Sequence, residues 1–349
     1  MKKGMVAVVT AMLMLVAGSA LASEWNFYGS ARMSTFIKDT DSNTASKDGT
    51  SFGESLQANS RIGANIKVND SLTARFEYGT GVNVRILAAE WDFGMGKLKV
   101  GQDYTPMEIG LSNMVFNGDE NLNSYGNPYS GRHPMLQLTF GGFKIAAIET
   151  ATQKDFDQFT DAQIKAASTE TNMPKIEASY THNFSKGFVK MVAGYNSYEL
   201  TADGHEYDVD SYGVGIGGKV NLGRVFLGAN VYGGQNTGAY GMSIAANDDP
   251  IFDNGTVHDS DTLGYILVAG MRVNDMLTCE AGYGWVQAES DKSGVEDDEA
   301  SAAYVNATIT LADGVIIVPE VGYIDNDKDR DGNEEDDTVY YGAKWQINF

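Results

Sequence analysis

The chain is most informative first in what it lacks. It has one cysteine, Cys279, so no intrachain disulfide can form. It has six prolines. Beyond residue 22 no apolar run approaches the roughly 20 residues a helix needs to span a bilayer, so a membrane crossing would have to use a closed sheet. Basic side chains are few, 25 Lys and Arg against 47 Asp and Glu, for a formal net charge of −22. Such a surface does not hold nucleic acid, whose phosphates require cations. Local catalytic signatures are missing as well. There is no Gly-x-Ser-x-Gly elbow and no His-Glu-x-x-His helix, and His133, His182, His205 and His258 fall in loops or near strand ends. No enzyme is expected. Gly213-x-Gly215-x-x-Gly218 matches a dinucleotide fingerprint in letters only. That fingerprint works between a strand and a helix, whereas here it lies inside an alternating strand with Tyr212, Val214 and Ile216 on one face.

What is present is glycine, aromatics and alternation: 40 Gly, 18 Tyr and 15 Phe. Lys2 and Lys3, the apolar run Met5 to Ala17 and the small-x-small site Ala20-Leu21-Ala22 read as a cleaved signal peptide over residues 1–22, leaving 23–349 as one domain. At the other end Val339, Tyr341, Ala343, Trp345, Ile347 and Phe349 share one face of a strand. Thr338, Tyr340, Gly342, Lys344, Gln346 and Asn348 share the other. The same reading along the chain yields sixteen strands, joined alternately by two- or three-residue turns and by long polar loops. The rhythm of short and long connections fits neighbour-to-neighbour pairing, and joining the first strand to the last removes the free edges. The fold expected is therefore all-β: a transmembrane antiparallel up-and-down β-barrel of 16 strands, apolar outside and polar inside. The alternative is a secreted β-sandwich adhesin or binding protein.

The chain resembles the general bacterial outer-membrane porins over the length of the barrel. The resemblance rests on the leader, the sixteen strands, the terminal Phe349, the stretch Phe93 to Pro106 (similar to that family's strand-five signature), and Phe116-Asn117-Gly118-Asp119-Glu120, similar to a Phe-Gly-Gly-Asp segment. It implies an outer-membrane location in a Gram-negative bacterium and passive diffusion of small hydrophilic solutes, with no cofactor required. It further implies a third external loop, here 105–134, folded into the lumen as the constriction. It implies a homotrimer, contact with outer-membrane lipid and lipopolysaccharide, and reading of Phe349 by the barrel assembly machinery. Two departures stand out. Gln102 occupies a position that is often Arg in the family, and the second loop, 79–83, is short for a latch onto a neighbour. The glycine-lined strand through Gly213, Gly215 and Gly217 leaves a substrate-selective channel as the alternative within transport.

Candidate site residues follow from the alternation. Arg32, Arg61 and Arg75 fall on the inward faces of three neighbouring strands, and Glu108, Asp119 and Glu120 lie on the third loop. Opposed charges at a narrow point would set a transverse field that biases which ions pass. The facing of Arg85 and Arg132 is not decided by the pattern. Acid concentrated in Asp291 to Glu299 and Asp325 to Asp337 would raise the local cation concentration, giving a weak cation preference. Asp327-x-Asp329-x-Asp331-Gly332 is the front half of a calcium loop, with Thr338 where the twelfth position wants Glu. It reads either as a Ca²⁺ site stiffening an external loop or as a solvated acidic loop.

Overall fold

The computed structural model describes residues 23–42, 48–156 and 158–349. The leader expected over residues 1–22 lies outside the described residues. The strands in chain order are β1 (Glu24–Asp41), β2 (Gly49–Leu56), β3 (Arg61–Lys67), β4 (Leu72–Gly79), β5 (Val84–Asp92), β6 (Lys97–Tyr104), β7 (Arg132–Phe140), β8 (Phe143–Ile148), β9 (Ser168–Glu170), β10 (Lys175–Phe184), β11 (Gly187–Ala202), β12 (His205–Leu222), β13 (Val225–Gln235), β14 (Ile251–Asp253), β15 (Thr256–His258), β16 (Ser260–Arg272), β17 (Leu277–Ser290), β18 (Asp298–Ala312), β19 (Val315–Asn326) and β20 (Asp337–Asn348). Short helical turns α1 (Phe116–Asp119), α2 (Asp161–Ala166) and α3 (Thr237–Tyr240) lie in three of the long connections.

Four of these strands are halves of two longer ones. β2 pairs with the second half of β1 and β3 with the first half, so together they form one strand broken at residues 57–60. β9 and β10 both pair with β11 in the same way. β14 and β15 form a separate hairpin. What remains is a closed antiparallel barrel of sixteen strands. It closes where Ser30–Asp41 of β1 pairs with Asp337–Asn348 of β20. Backbone bonds run both ways between Gly29 and Phe349, at 2.6 and 3.1 Å.

Alternation explains why the chain closes this way. Along β12 every second residue from Tyr207 to Gly217 is buried, and the residues between are exposed. Beyond the acidic end of β12 at Asp208 and Asp210, the exposed set is apolar: Tyr212, Val214 and Ile216 on β12, Val321 and Tyr323 on β19, Val339, Tyr341 and Trp345 on β20. This is the reverse of a soluble sheet, and a continuous apolar outer surface is suited to lipid. Apolar grooves of about 710 and 450 Å³ on β10–β13, β16 and β17 belong to that outward surface. No helix among the described residues is long and apolar enough to cross a membrane.

Several element ends differ from the expectation. β7 begins at Arg132 and runs through Pro134, so the third connection is 105–131. The first long connection is shorter than expected because β1 continues to Asp41 and β2 starts at Gly49. β11 and β12 meet at Asp203-Gly204, both with positive φ (53° and 78°), where a longer polar loop was expected. Two left-handed residues suit the twist of a hairpin, which lets the polar flanks pair instead of looping out.

The buried apolar side chains lie on the inward face. Met107, Ile109, Leu111, Met114, Val115 and Leu122 of the 105–131 segment pack with inward residues of β11, β13 and β16–β20, among them Val192, Ile266, Val286 and Val318. A second cluster joins Phe156, Phe159 and Phe252 of two long connections to Tyr198 and Leu200 of β11 and Tyr207 and Val209 of β12.

Candidate functional site

A polar cavity, about 720 Å³, lies between a wall made by β1, β3, β5–β7 and β18–β20 on one side and the 105–131 segment on the other. The wall contributes Arg32, Arg61, Arg85, Arg132 and Lys344. The segment contributes Glu108, Asn113, Asn117, Asp119 and Asn121.

Arg32, Arg61 and Arg75 do occupy inward positions of β1, β3 and β4, but they form two groups. Arg32 pairs with Asp119 at 2.6 Å, and Lys344 of β20 reaches the other oxygen of the same carboxylate at 2.9 Å. Asn59 donates to Asp119 as well, at 2.7 Å. Asp119 sits in a turn where Asn117, Asp119, Asn121 and Leu122 all have positive φ. Side chains with a Cβ adopt that conformation at a cost, and here the contacts hold it. Arg61 and Arg75 turn to Glu77, at 3.4 and 3.0 Å, and Arg85 joins them at 2.8 Å. Tyr28 donates a fourth bond to that fully buried carboxylate at 2.9 Å.

Arg85 reaches this group through a bulge. Glu77 pairs with Ile86 and Tyr78 with Val84, so Arg85 faces no partner residue and its side chain turns inward. Gln102 donates to the carbonyls of Val84 and Arg85, so in place of a pore cation it holds the bulge. Arg132 enters because β7 starts early; it donates to the Tyr104 hydroxyl at 3.1 Å and lies 5.0 Å from the ring centre. Glu120 is not part of the lining: its carboxylate accepts from the Ser124 backbone at 2.7 Å and closes a turn.

The charges on the cavity surface are thus five cations against the two carboxylates Glu108 and Asp119. Burial raises the pKa of Glu108 above the usual carboxylate value, with Lys190, Arg132 and Lys144 pulling the other way.

Three wall carboxylates that sequence reasoning missed hold the backbone of the segment. Glu177 accepts from Met107 N at 2.9 Å and from the Ser130 hydroxyl at 2.7 Å. Glu280 accepts from Asn113 N at 2.7 Å. Glu320 accepts from Val115 N and Phe116 N, both at 2.8 Å. Each also accepts a tyrosine hydroxyl, from Tyr240, Tyr304 and Tyr340 respectively. Phe116 stacks on the Tyr340 ring at 3.8 Å. A buried carboxylate is tolerated only when donors surround it, and backbone N–H groups of a crossing segment supply them. The signal available in the sequence was a Glu at an inward position with no basic neighbour, as at Glu280 and Glu320.

The calcium-like loop is hydrogen-bonded to itself. Asp329 accepts from the backbone N–H groups of Asp331 and Asn333 and from the Asn333 amide, which lowers its pKa, and the backbones of Lys328 and Glu334 pair in an antiparallel bridge across the turn. Asp327, Asp329 and Asp331 are not brought together. Among the described residues no group of three or more Asp, Glu, His or Cys is placed to hold a metal.

A family model described as Gram-negative porin matches residues 9–329. No curated protein sequence matches the chain. Among solved structures, the outer membrane channel DcaP of Acinetobacter baumannii is similar with a TM-score of 0.76 at 13% identity, covering 94% of this chain and 98% of that one. An anion-selective porin from Comamonas acidovorans is similar at 0.59 and 14% identity, covering 93% and 100%. OmpT of Vibrio cholerae, in a trimer form, is similar at 0.58 and 16% identity, covering 93% and 99%.

Proposed function

The chain belongs to the Gram-negative porin family and is a multi-pass outer-membrane β-barrel channel, and from that premise we propose that it passes small hydrophilic solutes by diffusion past a constriction set by residues 105–131. The family and fold point to a passive channel, in which no bond is made or broken. The observation that carries the constriction is the polar cavity shared by the wall cations and the 105–131 segment. The segment's apolar side chains fill the opposite side of the barrel, and Glu177, Glu280 and Glu320 fix its path. Water and solutes are then left the side lined by Arg32, Arg61, Arg85 and Arg132.

The surplus of cations on that lining favours anionic solutes at the narrow point. The expected weak cation preference rested on the acidic loops, which lie at the mouth. A homotrimer is part of the proposal; the trimer form of the Vibrio cholerae relative supports it. Planar-bilayer recording tests the reading. Purified protein should give conductance steps in groups of three, with a reversal potential in a KCl gradient that favours chloride at high salt. A preparation that never conducts would remove the proposal.

A further inference from the structure

We infer that the channel is electrically divided along its axis, a basic narrow zone in series with an acidic mouth, so that the sign and strength of its ion preference depend on salt concentration. This rests on the pore reading above. The basic zone is the lining just described, Arg32, Arg61, Arg85, Arg132 and Lys344 against Glu108 and Asp119. Lys190 and Lys144 add to it, since both lie close enough to Glu108 to stabilise its charge.

The acidic zone comes from the connections at the other level. β13–β16, β17–β18 and β19–β20 are antiparallel pairs whose long connections emerge at one end of the barrel, and the extended β11–β12 hairpin turns at that same end. Residues 199–210 carry five Asp or Glu and no Lys or Arg. Residues 248–261 again carry five and none. Residues 289–299 carry six against Lys292, and 325–337 carry eight against Lys328 and Arg330. Asp208, Asp291, Glu296, Asp331 and Glu334 among them are exposed. The overall charge of −22 therefore conceals a cavity lining of the opposite sign.

The two zones respond differently to salt. A volume of 720 Å³ is that of a cube about 9 Å on edge, so an ion in it stays within a few ångströms of the cations. At about 1 M salt the screening length is roughly 3 Å, which suppresses the mouth charges but leaves close contacts in the narrow zone effective. At about 0.01 M it is roughly 30 Å, so the fields of all the loops overlap across the mouth and deplete anions there. A pore of one sign strengthens its preference steadily on dilution. Two opposed zones in series do not, and their asymmetry makes the current depend on the sign of the voltage.

The test uses the full chain in planar bilayers of neutral phosphatidylcholine, with tenfold KCl gradients whose concentrated side is 1 M or 10 mM. The chloride-to-potassium permeability ratio should exceed one at 1 M and be at least about twofold lower at 10 mM, with rectification growing on dilution. A combined D208N, E296Q, D291N, D331N and E334Q variant removes five of the 24 acidic charges in these four stretches, so its chloride preference should fall measurably less on dilution than that of wild type. A wild-type preference that strengthens in one direction on dilution, or a loop variant that behaves as wild type, would overturn the inference while leaving the pore intact. A preparation with no conductance steps at all would instead remove the pore reading.

Discussion

Replacing Asp119 by Asn gives the sharpest test of the constriction. The carboxylate lies 2.6 Å from Arg32 and 2.9 Å from Lys344, and all three side chains are mostly buried. Asn keeps the shape, and its amide oxygen can still accept from Asn59. One negative charge is lost from a lining of five cations and two carboxylates, so the formal surplus rises from three to four. For an ion passing roughly 5 Å away in water, one unit charge is worth about 0.8 kcal/mol unscreened and about 0.5 kcal/mol in 0.1 M salt. Anions gain that amount and cations lose it, so the chloride-to-potassium ratio should rise about fivefold at 0.1 M and less than about twofold at 1 M. Reversal potentials of single channels at the two concentrations give the ratio. Glu120→Gln is the matched control, because Glu120 caps the Ser124 turn and does not reach the cavity. An unchanged ratio in D119N, or an equal shift in E120Q, would refute the placement of these two neighbours.

Further outcomes follow from the same geometry. Arg132→Gln should lower the chloride preference by several-fold at about 0.1 M, because Tyr104, the partner of Arg132, is neutral and the whole charge acts on the pore. Lowering the pH from 7 should raise the chloride preference at fixed salt. Burial lifts the Glu108 pKa, so this carboxyl protonates and loses its negative charge before ordinary exposed acids do, and E108Q should abolish the step. Glu320→Ala leaves the Val115 and Phe116 N–H groups without their acceptor, at a cost of roughly 1–3 kcal/mol each, and should show as noisier open channels that close at lower voltage. Phe252→Ala empties a buried aromatic cluster at a cost of about 3–5 kcal/mol, and should admit protease to residues 236–259 with the conductance step unchanged.

Arg32, Arg61 and Arg75 were legible because a strand's period of two decides facing without any long-range information. Arg85 was not, since a bulge inserts one residue and breaks that period; Arg132 was hidden behind Pro134, which reads as a strand breaker. The grouping of the arginines was equally out of reach. Arg61, Arg75 and Arg85 converge on Glu77 across three strands, and Arg32 meets Asp119 from 87 residues away. Glu177, Glu280 and Glu320 looked like ordinary lumen acids until the 105–131 backbone was seen to end on them.

The barrel is written in the letters of the chain. Alternating apolar and polar side chains, repeated over sixteen segments with short and long links, are best satisfied by a closed sheet with lipid on one face. Charge, however, is a sum in the sequence and a distribution in space. The count of −22 says nothing of where the cations lie, and only the closure of the barrel collects them on one side of the lumen. Which side stays open was decided there too, by apolar residues of 105–131 finding inward Val192, Ile266, Val286 and Val318 on strands far away in the chain. Local periodicity is short-ranged and survives in the letters, whereas a pore's bore and field arise from contacts between different strands and loops, 87 positions apart for Arg32 and Asp119 and 205 for Val115 and Glu320.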